Sequence, residues 1–430
     1  MACDLLSMTE IQLGYGQRSL PFSFDPNRLQ SLTLDSLSKL PLSDVELGAA
    51  LDSPIDSPPL DELIDSEDSV LIVVSDATRA TGSAQIVNLV VRRLVQCGVS
   101  PARLAVIFAT GIHRAVSEQE KLELLTPFIV QRVRTIAHDA YDSQTLSFLG
   151  VTEGGVAVEV HKALTDFSRI ILIGGINFHY FAGFTGGRKS VCPGLASAAT
   201  IEATHMLALD FEKGGRKAGV GTGLLDGNAV HMECERVATL VNPTFGINTI
   251  IDEKKRIVGI YCGDWRLAHR AACESYLREH SIEIESKRDL VIVSCGGSPH
   301  DINMIQAHKA LEMASYACKA GGSIILVAEC VDGLGRPDFL KWFESANSNA
   351  LEQTLRSGYE VNGQTAWSLL TKTERFRVHL ISELPHRDVE RMRMIPWETL
   401  AEALRNVRSY ESGFILSRGA GTLPRLATVE

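Results

Sequence analysis

The sequence predicts an α/β protein of two domains, each a mostly parallel sheet flanked by helices. Three observations carry that prediction. First, short unbroken apolar runs recur at Ser69–Val74, Arg103–Ala109 and Ile170–Ile173, and again at 289–295 and 323–329. Runs of this kind, without polar alternation, read as strands covered on both faces. Second, stretches of helical periodicity lie between them, and strand–helix alternation specifies a parallel sheet. Third, the rhythm stops and restarts. It ends in a hairpin expected at 246–262 and a linking helix at 267–280, then resumes at Asp289. The expected domains are 1–277 and 278–430.

Taken in order, residues 9–24 read as a hairpin turning at Gly16-Gln17. Residues 25–68, with Pro54, Pro58 and Pro59 among many Asp and Ser, read as a polar connection with short helices. An amphipathic helix is expected at 83–97. Ser117 followed by Glu120 is a capping box that opens another. A strand near Val133–His138 precedes the one at 170–173, and the hairpin at 246–262 turns at Asp252–Lys254. The second domain reads as strand 289–295, a loop with Pro299 and Asp301, helix 303–318 and strand 323–329. Helices near 337–346 and 364–375, strand 377–382, helix 397–406 and strand 412–417 follow. No internal repeat or low-complexity segment stands out.

Composition narrows the function classes. Apolar residues are 45% and charged residues 22%, ordinary for a globular protein. A net charge of -10 argues against a nucleic-acid surface. Nine scattered Cys with no C-x-x-C read as reduced thiols rather than a disulfide framework or a zinc ribbon. The first residues lack a signal-peptide pattern, and no apolar run nears the ~20 residues that span a bilayer. The expectation is a cytoplasmic protein.

In open parallel sheets ligands bind beyond the strand C-termini. Asp76, Arg79, His113 and His179 each lie just past an apolar strand, which points to one shared site. The densest stretch is 171–209. It leaves a strand at Gly174-Gly175, passes His179, and makes a turn through Gly183, Gly186 and Gly187. It then presents Arg188-Lys189 and Pro193-Gly194 before a small-residue helix with His205. Gly183–Ser190 resembles a P-loop, but Arg188 stands where glycine is needed and the strand ends about ten residues early. Gly219-x-Gly221-x-Gly223 is not a dinucleotide fingerprint.

Each residue has a bland alternative. His179 is a structural histidine or, beside a lysine among glycines, a site residue. His205 is a core or cap residue or, since imidazole suits nickel, zinc, copper and iron, a metal ligand. His113 is open between the two. Asp76 and Arg79 form a surface ion pair, or Arg79 is a bidentate carboxylate binder. Gln306 and Lys309 share a helix face, either solvated or functional. His300 and His308 read as surface residues, and Trp367 is by type more often core than site.

Together these motifs resemble the lactate racemase family, nickel-dependent 2-hydroxy acid racemases and epimerases. The core of the resemblance is Asn177-Phe178-His179 through Gly186-Gly187-Arg188-Lys189-Ser190 and Pro193-Gly194, with His205 beyond. Asp76-Ala77-Thr78-Arg79, Thr110-Gly111-Ile112-His113-Arg114 and Gln306-Ala307-His308-Lys309 support it. The resemblance implies a nickel-pincer nucleotide (pyridinium-3-thioamide-5-thiocarboxylic acid mononucleotide), built by cofactor-synthesis proteins in trans. It implies Lys189 as the thioamide tether, His205 as the nickel ligand, and His113 and His179 as paired acid/bases. Arg79, Gln306 and Lys309 would bind the substrate, Asp76 would support Arg79 or the cofactor, and Trp367 would line the site. Thr185, Gly186, Gly187 and Arg188 are our own placement for the nucleotide phosphate. The expected site lies in the interdomain cleft. The expected reaction is racemisation of lactate or a similar short-chain 2-hydroxy acid. Epimerisation of a sugar acid, or a non-catalytic ligand-binding homologue, are the alternatives. The family motif often continues from the arginine to a proline; here Arg79 is followed by Ala80-Thr81-Gly82, which bears on substrate shape. Oligomeric state is not readable.

Overall fold

The computed structural model describes residues 8–34, 39–407 and 409–427. The chain forms two compact α/β units. One comprises Leu37–Ala208 and Arg216–Arg278, and the other Met1–Ser36, Leu209–Gly215 and Glu279–Glu430. A single cut near residue 278 therefore omits two returns of the chain, at the N-terminus and at 209–215.

The first unit holds a six-stranded sheet in the order Ile257–Gly263, Phe245–Ile251, Arg169–Gly175, Val70–Ser75, Leu104–Ala109, Arg134–Ile136. All neighbours are parallel except the first two, which form the expected hairpin. The apolar runs are unbroken because both faces are covered. Val70, Ile72, Val74, Val106 and Phe108 pack on one side with Ile86, Val87 and Val90 of helix Ser83–Gln96. Leu71, Val73, Ile107 and Leu172 face the other side with Val230, Cys234 and Val237 of helix Ala229–Val241. The Ser117–Glu120 capping box is present and opens helix Glu118–Val130. From Val70–Ser75 the chain builds outward to Arg134–Ile136, then returns to add Arg169–Gly175 on the other side. Strand order reverses between Val70–Ser75 and Arg169–Gly175, where an open sheet leaves its ligand crevice.

The second unit holds a six-stranded, all-parallel sheet: Ile395–Trp397, Arg377–Ile381, Cys318–Val327, Arg288–Ser294, Gly413–Leu416, Leu29–Ser31. The N-terminal hairpin, Thr9–Tyr15 with Arg18–Phe24, belongs here. Its Leu13, Tyr15, Phe22 and Phe24 cover Leu290, Ile292, Ile325 and Ile415 on one sheet face. Backbones approach closely where it docks: a Cβ on Gly14 would stand 2.4 Å from the Gly296 carbonyl carbon. Helix Met304–Ala317 covers the opposite face through Ala307, Ala310, Leu311 and Ala314. No helix among the described residues is long and apolar enough to cross a membrane.

Candidate active site

Strand Val70–Ser75 delivers a buried Asp76 at its C-terminal end. Its Oδ1 accepts from the Thr78 amide (3.1 Å) and hydroxyl (2.6 Å). Its Oδ2 lies 2.7 Å from Nδ1 of His113, which follows the adjacent strand Leu104–Ala109. Burial pushes the Asp76 carboxyl up, but the bonds from His113 and Thr78 outweigh it and the net shift is downward. A carboxylate only accepts, so His113 carries hydrogen on Nδ1 and turns the Nε2 lone pair outward. His113 is half-exposed. Asp76 therefore holds His113 directly, and its charge also acts on Arg79. Arg79 is exposed, and its backbone N–H closes the turn onto the Asp76 carbonyl (3.2 Å).

The next strand over, Arg169–Gly175, ends in a small hairpin, Phe178–His179 with Gly183–Phe184. The Ala182 N–H donates to Nδ1 of His179 at 3.3 Å. Nε2 of His179 stands 3.4 Å from Nζ of Lys189. Lys189 is buried on a single turn, Gly187–Ser190, and burial pushes its amine down to about 7. His205 is buried on helix Ala198–Met206, and burial, with the charge of Lys189 next, pushes its imidazole down to about 3.

These residues meet at Phe181. Its ring lies edge-on to His179 (4.5 Å) and to His205 (5.0 Å), with Nζ of Lys189 5.6 Å from its centroid. The structure thus gathers His179, Lys189 and His205 into one cluster, and joins Asp76 to His113 at the end of the same sheet.

Several donors of Thr185–Arg188, the turn expected to hold the phosphate, are engaged within the protein. The Thr185 N–H donates to the Asn177 carbonyl, and the Gly187 N–H to Oδ1 of Asn248 (both 2.9 Å). Arg188 is buried, donating to Nε2 of His269 (2.8 Å) and to the carbonyls of Ala182 (2.8 Å) and Gly186 (3.4 Å). These donors fasten the turn to its surroundings. Gly174 lets the turn close in, since a Cβ there would stand 2.9 Å from Cα of Gly186.

In the second unit Gln306 and Lys309 share a helix face, with Lys309 Nζ donating to Gln306 Oε1 at 2.6 Å. Trp367 is buried, 2% exposed, and its Nε1 donates to Glu352 (2.7 Å). One expectation there is corrected: His308 is buried rather than superficial, with Nδ1 2.5 Å from the Ile305 carbonyl. His300 is exposed, as expected. Sequence reasoning missed His269 and Asn248, which hold the lysine turn from elements far along the chain. No local pattern marks them.

Two family models match: the lactate racemase N-terminal domain over 15–215 and the lactate racemase C-terminal domain over 284–413. A lactate racemase of Lactiplantibacillus plantarum is 33% identical over 336 residues, 77% of each chain. One from Thermoanaerobacterium thermosaccharolyticum is 29% identical over 411 residues, 94% of this chain and 95% of that one. The structure of the lactate racemase apoprotein from T. thermosaccharolyticum superposes with a TM-score of 0.89 at 27% identity, covering 97% of this chain and all of that one. A Thermotoga maritima protein shares the fold, with a TM-score of 0.65 at 19% identity over 90% of this chain and 99% of that one. Matched through both of its halves, and at 33% identity over 77% of a curated relative, this chain belongs to the lactate racemase family.

Proposed function

We propose that this chain is an isomerase interconverting the stereoisomers of a 2-hydroxy acid, lactate first among them, with a nickel-pincer nucleotide tethered to Lys189. The observation that carries the reading is the gathering of His179, Lys189 and His205 around Phe181, at the sheet edge that also bears the Asp76–His113 pair.

The residues fit such a group. A lysine held near neutrality is a nucleophile suited to a covalent tether. A buried, uncharged imidazole at His205 is the form in which histidine binds nickel. Among the described residues no three or more His, Cys, Asp or Glu are grouped to hold a metal by themselves. Nickel at His205 would take its other donors from the cofactor's sulfur-bearing arms and ring carbon. When bound, the cofactor supplies a carbon that accepts the substrate hydride and returns it.

Loss of the carbon-2 proton would demand a dianionic enolate beside the carboxylate, which the hydride route avoids. The hydroxyl proton still has to be taken, and the hydride returns to either face, so a base is needed for each stereoisomer. His113 presents the Nε2 lone pair because Asp76 holds its Nδ1–H, and Asp76 then stabilises the imidazolium. His179 is the second base. In the untethered chain the Ala182 N–H occupies Nδ1, so the neutral ring carries hydrogen on Nε2, directed at the Lys189 amine. A thioamide nitrogen at Lys189 would no longer accept that hydrogen, and His179 would serve as base on releasing the Ala182 N–H from Nδ1. Arg79, with Gln306 and Lys309, is assigned the substrate carboxylate, so that the 2-keto acid is retained between half-reactions.

The test is intact mass and nickel content after production with the cofactor-synthesis proteins, followed by a panel of 2-hydroxy acids. An adduct on Lys189 with about one nickel per chain is expected. Neither adduct nor nickel would refute the reading in favour of a binding role. Turnover of gluconate-like acids without lactate would make the chain a sugar-acid epimerase.

A further inference from the structure

One apolar ring touches groups from three separate elements. Phe181 sits in the loop of the 178–184 hairpin and is 4% exposed. Its edge-to-face contact with His205 has a centroid distance of 5.0 Å and an interplanar angle of 73°. Its contact with His179 is at 4.5 Å and 86°. Nζ of Lys189 lies 5.6 Å from its centroid. Phe181 is itself held firmly: Asn228 Nδ2 donates to its carbonyl (2.9 Å), and the Tyr180 ring stands against it at 4.6 Å and 87°.

Perpendicular aromatic contacts constrain the plane of a ring, and a metal-bound imidazole is sensitive to its plane. The nitrogen lone pair lies in the ring plane, so a rotated ring aims it away from the metal. The groups that orient a metal-binding histidine are usually hydrogen-bonding partners, and their loss costs metal affinity roughly 10–100-fold. Beside its other contacts, the His205 ring meets a phenyl edge-to-face, an arrangement worth about 0.5–1.5 kcal/mol beyond its buried area.

We infer that Phe181 is the positioning residue for nickel retention: its ring sets the plane of His205 while walling the Lys189 tether and His179 into the same register. The inference rests on the assignment of His205 as nickel ligand and Lys189 as tether. Phe181 would contact neither substrate nor metal; it acts through the rings it braces.

Phe184 provides the internal control. It lies in the same hairpin and is 1% exposed, but its ring contacts are Phe178 (5.5 Å) and Tyr276 (6.5 Å). Phe181→Leu, Phe181→Met and Phe184→Leu should be produced with the cofactor-synthesis proteins. Each is then followed by intact mass, thermal melting, and nickel per chain during exposure to EDTA. Both Phe181 variants are expected to keep the Lys189 adduct but release nickel about tenfold faster than the parent. Phe184→Leu is expected to melt lower yet hold nickel at the parental rate. Parental nickel release from the Phe181 variants would overturn the inference and leave the cofactor reading intact. Equal acceleration in Phe184→Leu would overturn it too, by showing general loosening. A parent chain with neither adduct nor nickel would overturn the cofactor reading itself, and this inference with it.

Discussion

Replacing Asp76 by Asn keeps the shape of the side chain and removes its charge, and the outcome can be worked from its contacts. Asp76 accepts two hydrogens from Thr78 through Oδ1 and one from His113 through Oδ2. An asparagine amide cannot accept on both sides. If its oxygen stays on Thr78, its NH2 donates to Nδ1 of His113 and forces the hydrogen onto Nε2, so the base has no lone pair for substrate. If the amide turns round, it forfeits the bond from the Thr78 N–H and sets NH2 against that donor, while the Thr78 hydroxyl turns to accept. The lost bond at about 1 kcal/mol, and the donor left without an acceptor at about 1 kcal/mol more, favour the first orientation, leaving a few per cent of chains competent. The imidazolium formed in turnover also loses a charge-assisted bond worth about 1.5–3 kcal/mol. Together these give a fall in kcat of roughly 10²–10⁴, the range of an Asp→Asn change beside the histidine of a hydrolase triad. The assay is racemisation of each lactate enantiomer, normalised to tethered cofactor by intact mass. Because the equilibrium constant of a racemisation is one, kcat/KM must fall equally for both enantiomers. Full tethering with less than about a threefold loss would refute the Asp76–His113 assignment.

Other outcomes are equally definite. His113→Ala and His179→Ala should each lower racemisation by roughly 10³ or more, and near-full activity in either would sink the two-base reading. Lys189→Ala should show no cofactor adduct by intact mass; a persisting adduct would refute the tether. Gly187→Ala should lower stability by about 2–3 kcal/mol in urea titration, since its φ is +49° and a Cβ would stand 2.7 Å from the His269 ring. Burial pushes His138 and His379 down to about 4, and His231 and His308 down to about 3. Folded values below the unfolded ~6.5 mean stability is full above pH 6.5 and falls toward pH 4, at up to about 1.4 kcal/mol per pH unit for each histidine. Urea midpoints at pH 7.5, 6 and 5 check this, and a flat profile would contradict it.

The fold was legible where one residue type at one spacing has one physical meaning. The runs at 69–74, 103–109 and 170–173, alternating with helical stretches, read as strands with two covered faces, and Ser117 with Glu120 reads as the opening of a helix. The N-terminal hairpin was recognised as a hairpin, but its destination was not. Its apolar residues fit any sheet face, and long-range contacts select the C-terminal one, among them the close approach of Gly14 to Gly296 and the Ser294 hydroxyl donating to the Gly14 carbonyl. The surface reading of His308 fails for a related reason. Whether a polar side chain on a helix faces core or solvent depends on what packs there, and the Ile305 carbonyl is what receives it.

The site shows the same division more sharply. The residues assigned chemistry lie in short motifs and were found from them. The groups that aim them carry no signal of that role: Asp76 for His113, Ala182 for His179 and Phe181 for His205 lie within the motifs, while Asn248 and His269 reach the lysine turn from far along the chain. Two of these anchors differ in kind, and the difference matters to the chemistry. A buried carboxylate leaves His113 with its lone pair at Nε2, whereas a backbone N–H leaves neutral His179 with its hydrogen there. The chain therefore turns Nε2 of His113 outward and sets Nε2 of His179 against the Lys189 amine. A residue pattern alone shows two histidines past two strands; their inequivalence exists only in the folded chain.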